Sequence, residues 1–210
     1  MNYQEELICN IKKETKVCKF VHRMCIEKLF QIPISQLKWN TNLLQPIDDW
    51  KKIYAIPFKS TLSTKIRYFQ IKILHNILGV NRLLKIVGLA RSDLCTFCSE
   101  APETISHLFW ECPVTKRFIQ EFQTHILKNE VTLTHNDFIF GIPTGYYTTV
   151  NFVILYAKYY IFNTRCKEGR LSLSSFQNLL KYYYELERII YSKQNKFVLF
   201  LDKWRNIQII

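Results

Sequence analysis

The chain has 210 residues, enough to enclose a core of its own. Hydrophobic residues make up 48%, aromatic residues 15%, and there are only five Gly and six Pro, which excludes disordered, fibrous and collagen-like classes. A formal charge of +12 points to a polyanionic partner, either nucleic acid or an acidic membrane surface; an ordinary solvated basic surface is the alternative.

Residues 1–31 carry helical spacing, with Val17, Val21, Met24 and Leu29 on one side. Cys9, Cys18 and Cys25 have no metal-ligand spacing and read as small buried hydrophobes. Pro33 ends this helix, and a connector follows. Asp48-Asp49-Trp50 reads as a helix start with Asp48 as N-cap, and Pro46 and Pro57 bracket the element. The paired aspartates are a poor magnesium site, because no further carboxylate lies nearby.

The strongest long helix is expected over Thr61–Leu78. Leu62, Ile66, Phe69, Ile73 and Ile77 form its apolar face, and Gly79 suits its C-terminal cap. A short helix over Asn81–Val87 follows, closed by Gly88. From Lys51 to Arg91 there are nine Lys or Arg and no Asp or Glu. A solvated helical face normally mixes signs, since opposite charges four residues apart support the helix. A single-signed stretch favours a polyanion over plain solvation.

Pro113 opens a helix over 113–128, with Val114, Phe118, Phe122 and Ile126 recurring every four residues. Residues 131–147 hold Gly141, Pro143 and Gly145 and read as a loop with one turn around Phe138–Phe140. Val150–Cys166 is aromatic on most sides and reads as a buried core helix, with a base-stacking platform as the alternative. Its end, Arg165-Cys166-Lys167 with Arg170, forms a second basic spot. Ser172–Ser192 is helical, capped by one of Ser172, Ser174 or Ser175, and an amphipathic piece over Lys196–Ile207 ends the chain. No strand alternation and no repeat is present, so the fold class is mainly α: a helical domain with an inserted metal knuckle.

That knuckle is Cys95-x2-Cys98-x8-His107-x4-Cys112. Three thiolates and one imidazole within 18 residues can close a tetrahedron around one Zn2+ ion. A Cys-x2-Cys redox pair is the rival reading, but it leaves His107 and Cys112 without a role. All four positions are protein ligands, so the zinc is structural, and its binding contributes on the order of 10 kcal/mol to folding. His125 and His135 lie outside the spacing and read either as ordinary surface residues or as residues that support the ligands from behind. The seven Cys form no disulfide framework, and MNYQEELIC lacks the apolar stretch of a signal peptide. Val150–Phe162, the most apolar run, is interrupted by Asn151 and Lys158 and is too short to span a bilayer. These features predict a protein of a reducing intracellular compartment, nuclear or cytoplasmic, with no membrane partner.

No Gly-rich phosphate loop, no Gly-x-Ser-x-Gly, no Tyr-x-Asp-Asp and no carboxylate cluster for two-metal chemistry is present, so no enzymatic activity is expected.

Phe69, Gln70, Lys72, Ile73, Leu74, His75, Asn81, Cys95, Cys98, Glu103, Thr104, His107, Leu108, Phe109 and Cys112 together resemble the C-terminal zinc-binding region of LINE-type (non-LTR) retrotransposon reverse transcriptases. The specific part of this resemblance covers about residues 47–122. The surroundings of Trp39, the stretch Phe138-Ile-Phe-Gly-Ile-Pro143 and Arg165-Cys166-Lys167 resemble the same family more weakly. The resemblance implies Cys95, Cys98, His107 and Cys112 as zinc ligands. It also implies a non-catalytic module that binds RNA, with DNA as a second partner, beside the polymerase part of a retroelement protein.

The expected organisation is an N-terminal helical segment and connector (1–46), basic helices with the zinc knuckle (47–128), and an aromatic-rich helical segment (129–210). Lys65, Arg67, Lys72, Arg82, Lys85 and Arg91 are the expected phosphate contacts. The alternative function is a zinc-braced helical adaptor for protein partners, derived from a retroelement, with a patch around Tyr182–Tyr184.

Overall fold

A computed structural model describes Trp39, residues 49–144 and residues 147–204. The chain divides into two compact units, Met1–Ile47 and Asp48–Ile210. The expected helix over 1–31 with Cys9, Cys18 and Cys25, the connector after Pro33, Pro46, Asp48, Gly145 and the last residues of the Lys196–Ile207 helix lie outside the described residues.

In the second unit, α1 (Trp50–Ser60) is capped by Asp49 rather than by its neighbour: the Asp49 carboxylate accepts from the Lys52 N–H at 3.1 Å. An N-cap side chain must reach the N–H two or three positions on, and from Asp49 that group is Lys52. Pro57 does not bound this helix but lies inside it. Its missing N–H denies Ile53 the usual bond, and burial of the ring with Ile53 and Ile56 offsets the loss.

Helix α2 (Thr64–Leu74) is shorter than its apolar period suggests. Thr61 belongs to the end of α1, and the chain leaves α2 through Asn76, at φ +54°. The Asn76 N–H donates to the Ile73 carbonyl and the Ile77 N–H to that of Lys72, the paired bonds that close a helix through one left-handed residue. Asn76, not Gly79, is that residue. Ile66, Phe69 and Ile73 are buried as expected, whereas Leu62 and Ile77 flank the helix and are exposed. Helix α3 (Asn81–Ile86) closes the same way through Gly88, at φ +76°, with the Leu89 N–H on the Leu84 carbonyl at 2.7 Å.

Helix α4 (Pro113–His125) buries Phe118, Ile119 and Phe122. The stretch after it contains a real helix, α5 (His135–Phe140), where only a turn was expected. Thr134 and Asp137 form a reciprocal capping box: each side chain accepts from the other's backbone N–H. Gly141 follows at φ +93°, and a Cβ there would stand 2.9 Å from Ile56 Cδ1, so the site needs glycine twice over.

Helix α6 (Thr148–Cys166) is the centre of the core, buried from Asn151 to Tyr159 without interruption. It packs against α1, α2, α7 (Leu173–Lys193) and α8 (Phe197–Trp204). Its aromatic side chains fill the interior: Tyr159 meets Phe69 edge-on at 5.4 Å, and Phe152 meets Trp204 at 4.9 Å. Lys158 is fully buried there, donating to Gln70 Oε1 at 2.6 Å and to the Ile139 carbonyl at 2.7 Å; burial holds its pKa well below the ordinary lysine value. Ser172 is the N-cap of α7. Among the described residues there is no strand, and no helix is long and apolar enough to cross a membrane.

Candidate metal centre

Two backbone pieces bring the four ligands together. The first is a tight hairpin. The Cys95 N–H donates to the Ala101 carbonyl at 2.8 Å, and the Glu103 N–H donates to Asp93 at 2.7 Å. Ser99, at φ +58°, turns the chain back after Cys98. The second piece is a π-helical turn, His107–Glu111, entered through Thr104, whose hydroxyl accepts from the His107 N–H at 2.9 Å. In an α-helix, residues five apart lie about 140° round the axis. The π turn bonds the Cys112 N–H directly to the His107 carbonyl at 2.8 Å and returns Cys112 toward the histidine. Leu108 and Phe109, wholly buried, anchor this turn in the core.

The ligating atoms of Cys95, Cys98, His107 and Cys112 all lie within 4.8 Å of one another. Cys95, His107 and Cys112 are buried and Cys98 is half-buried; all three cysteines are free thiols. Zinc–sulfur bonds near 2.3 Å in a tetrahedron give sulfur–sulfur edges of about 3.8 Å and sulfur–nitrogen edges of about 3.6 Å. Cys95 Sγ stands 3.8 Å from Cys112 Sγ, and Cys98 Sγ stands 3.3 Å from His107 Nε2. The donor set and its edges fit Zn2+, and with four protein ligands the site is structural.

The local electrostatics suit thiolate. Cys112 stands just before α4, and its thiol is lowered to about 5, first by the Cys95 thiol and further by the backbone N–H groups of Thr115 and Val114. Cys95, donating to Cys112 and desolvated, is pushed up.

Glu103 holds this site to the rest of the unit, a role its sequence did not announce. Its carboxylate is fully buried and accepts from the backbone N–H of Asn81 and of Thr96, both at 2.9 Å. It also pairs with the Arg165 guanidinium at 2.7 Å. Arg165 further donates to the Asn81 side-chain oxygen and to the Gly79 carbonyl. Arg165 is therefore not part of a surface basic spot. It is a buried cation at the end of α6, and Lys167 and Arg170 are the exposed members of that group.

The six expected phosphate contacts fall on α2, α3 and the loop before the knuckle. Lys65, Lys72, Arg82, Lys85 and Arg91 are exposed, and Arg67 is half-buried. Arg67 donates to the Thr61 carbonyl at 2.8 Å and lies over the Phe58 ring, fastening the end of α1. Lys85 pairs with Asp93 at 2.7 Å, and Lys65 lies over the Tyr159 ring, whose hydroxyl raises its pKa. Of the two histidines downstream of the knuckle, His125 is exposed, whereas His135 Nε2 lies 3.2 Å from Ser106 Oγ and its ring meets Trp110. His135 thus braces the turn that carries His107.

Residues 35–118 match the family described as zinc-binding in reverse transcriptase, and the match includes all four ligands. The match spans less than half of the chain, and this segment is similar to a zinc-binding region of reverse transcriptases. No curated protein and no solved structure matches the chain.

Proposed function

We propose that the chain is a zinc-stabilised nucleic-acid-binding module, with RNA as its preferred partner, of the kind found in the non-catalytic C-terminal region of LINE-type reverse transcriptases. One observation carries this reading: eight of the nine Lys and Arg between Lys51 and Arg91 are exposed, with no acid among them in sequence. The zinc hairpin begins where this stretch ends, and Glu103 ties it back to α3 through the Asn81 N–H. Zinc thereby fixes the basic helix α3 against the core, and the fixed charges meet phosphates without further ordering cost. The polymerase part of a retroelement protein is the natural neighbour of such a module, which itself performs no catalysis.

The test is an electrophoretic shift of RNA by the zinc-loaded chain, repeated at rising salt and after chelation. Binding that weakens steeply with salt and disappears on chelation is expected. Affinity unchanged between low and moderate salt would refute the reading.

A second reading, a zinc-braced adaptor for protein partners, is favoured by the apolar tip at the end of α3. Ile86 and Leu89 are 74% and 77% exposed, and Val87 lies between them. Tyr182 is also exposed, although Tyr183 and Tyr184 are half-buried. Recovery of protein but no nucleic acid after nuclease controls would favour it.

A further inference from the structure

Beside the zinc hairpin lies a groove of about 630 Å³, bounded by Phe97 of the hairpin, the first turns of α4 and the turn joining α6 to α7. That volume falls in the range of about 300–1,000 Å³ that accepts small-molecule-sized groups. We propose that this groove takes one unpaired base of a bound nucleic-acid strand; the proposal rests on the nucleic-acid reading above.

The lining decides which part of a nucleotide fits. Phe97 and Val114 give it apolar surface. Arg117 and Arg170 add two guanidinium groups, and Glu121 and Glu168 add two carboxylates. Among the described residues none of these four charged side chains has an ion pair. Two carboxylates repel a phosphodiester, so the strand's backbone is not what fills the groove. A base is uncharged and flat. It stacks on an aromatic ring or a guanidinium plane, while carboxylates accept from exocyclic amino groups and guanidiniums donate to ring nitrogens and carbonyls. The backbone then runs toward the exposed cations. Phe97 lies between the ligands Cys95 and Cys98, so a bound zinc ion holds its backbone in place. Its ring is half-buried, with one part left to the groove.

The experiment compares the affinity of the full zinc-loaded chain for a short single-stranded RNA and for the same RNA with its bases removed at successive positions. The wild type is expected to prefer the intact strand by on the order of tenfold, the worth of one base–aromatic stack. Phe97→Ala should close that gap with zinc content unchanged. Glu121→Leu, which replaces a groove carboxylate on α4, away from the ligands, with an apolar side chain that offers no stacking face, should narrow it independently. Equal affinity of the wild type for both strands overturns the proposal while leaving the nucleic-acid reading standing. So does a gap that survives both substitutions. Failure of the wild type to bind either strand at low salt overturns both.

Discussion

The Arg165 guanidinium lies 2.7 Å from the Glu103 carboxylate, both groups buried, and joins the end of the core helix to the loop between the second and third zinc ligands. Breaking a buried pair by removing one partner costs about 3–5 kcal/mol, because the other charge stays desolvated and alone. The two halves are not equivalent. After Arg165→Met, Glu103 keeps the N–H groups of Asn81 and Thr96. After Glu103→Gln, Arg165 has no buried counter-charge. Chemical denaturation should therefore show Glu103→Gln as the more damaging change, and the double variant as less damaging than the sum of the two. Simple additivity would mean that the pair is not coupled.

Metal removal supplies a second prediction. With all four ligating atoms within 4.8 Å of one another, one Zn2+ per chain is expected, and substitution by Co2+ should give the absorption of a tetrahedral site with cysteine-sulfur charge transfer. Chelation should unfold the hairpin and loosen α3, read as lost protection of the Asn81 and Thr96 amides in hydrogen exchange. Amides still protected in the metal-free chain would show that Glu103 alone holds the hairpin.

Lys158 predicts a pH effect. Its folded pKa is depressed by burial, so between that value and the ordinary lysine pKa near 10.5 the unfolded chain binds more protons than the folded one. Stability gained from this group therefore rises with pH toward 10.5 and is lost as pH falls. Measured relative to wild type at several alkaline pH values, Lys158→Met should remove that slope. At neutral pH its own effect combines relief of the buried amino group with two acceptors, Gln70 Oε1 and the Ile139 carbonyl, that lose a donor. A slope unchanged by the substitution would place the titration elsewhere.

The zinc ligands were legible because ligand spacing is local: a Cys-x2-Cys turn and a His–Cys pair five residues apart make sense without the rest of the fold, although the π turn that brings Cys112 round to His107 was not foreseen. Gly88 was legible for the same reason, as a left-handed position directly after a short helix. Asn76 was not. Either Asn or Gly can close a helix, and the choice follows from the need to bury Leu78 and Val80 beyond the turn. The capping box of α5 was readable in Thr134 and Asp137 but was overshadowed by the Gly and Pro that follow. Arg165 was out of reach: an arginine among basic neighbours looks solvated in sequence, and its partner Glu103 is distant along the chain. Gln70 is a similar case. Its side chain donates to the Ile139 carbonyl at 3.0 Å and accepts from Lys158, contacts that no local pattern encodes.

The central claim, that the acid-free stretch before the knuckle holds nucleic-acid phosphates, is tested most directly by the salt dependence of RNA affinity. The decisive comparison is wild type against a variant with Lys72, Arg82 and Arg91 changed to Ala, three exposed cations on and around α2 and α3. Each lost phosphate contact should lower the slope of log affinity against log salt by about 0.7 on a single strand, so a fall of about 2 is predicted, with folding and zinc content intact. An unchanged slope would contradict the assignment of this surface to nucleic acid.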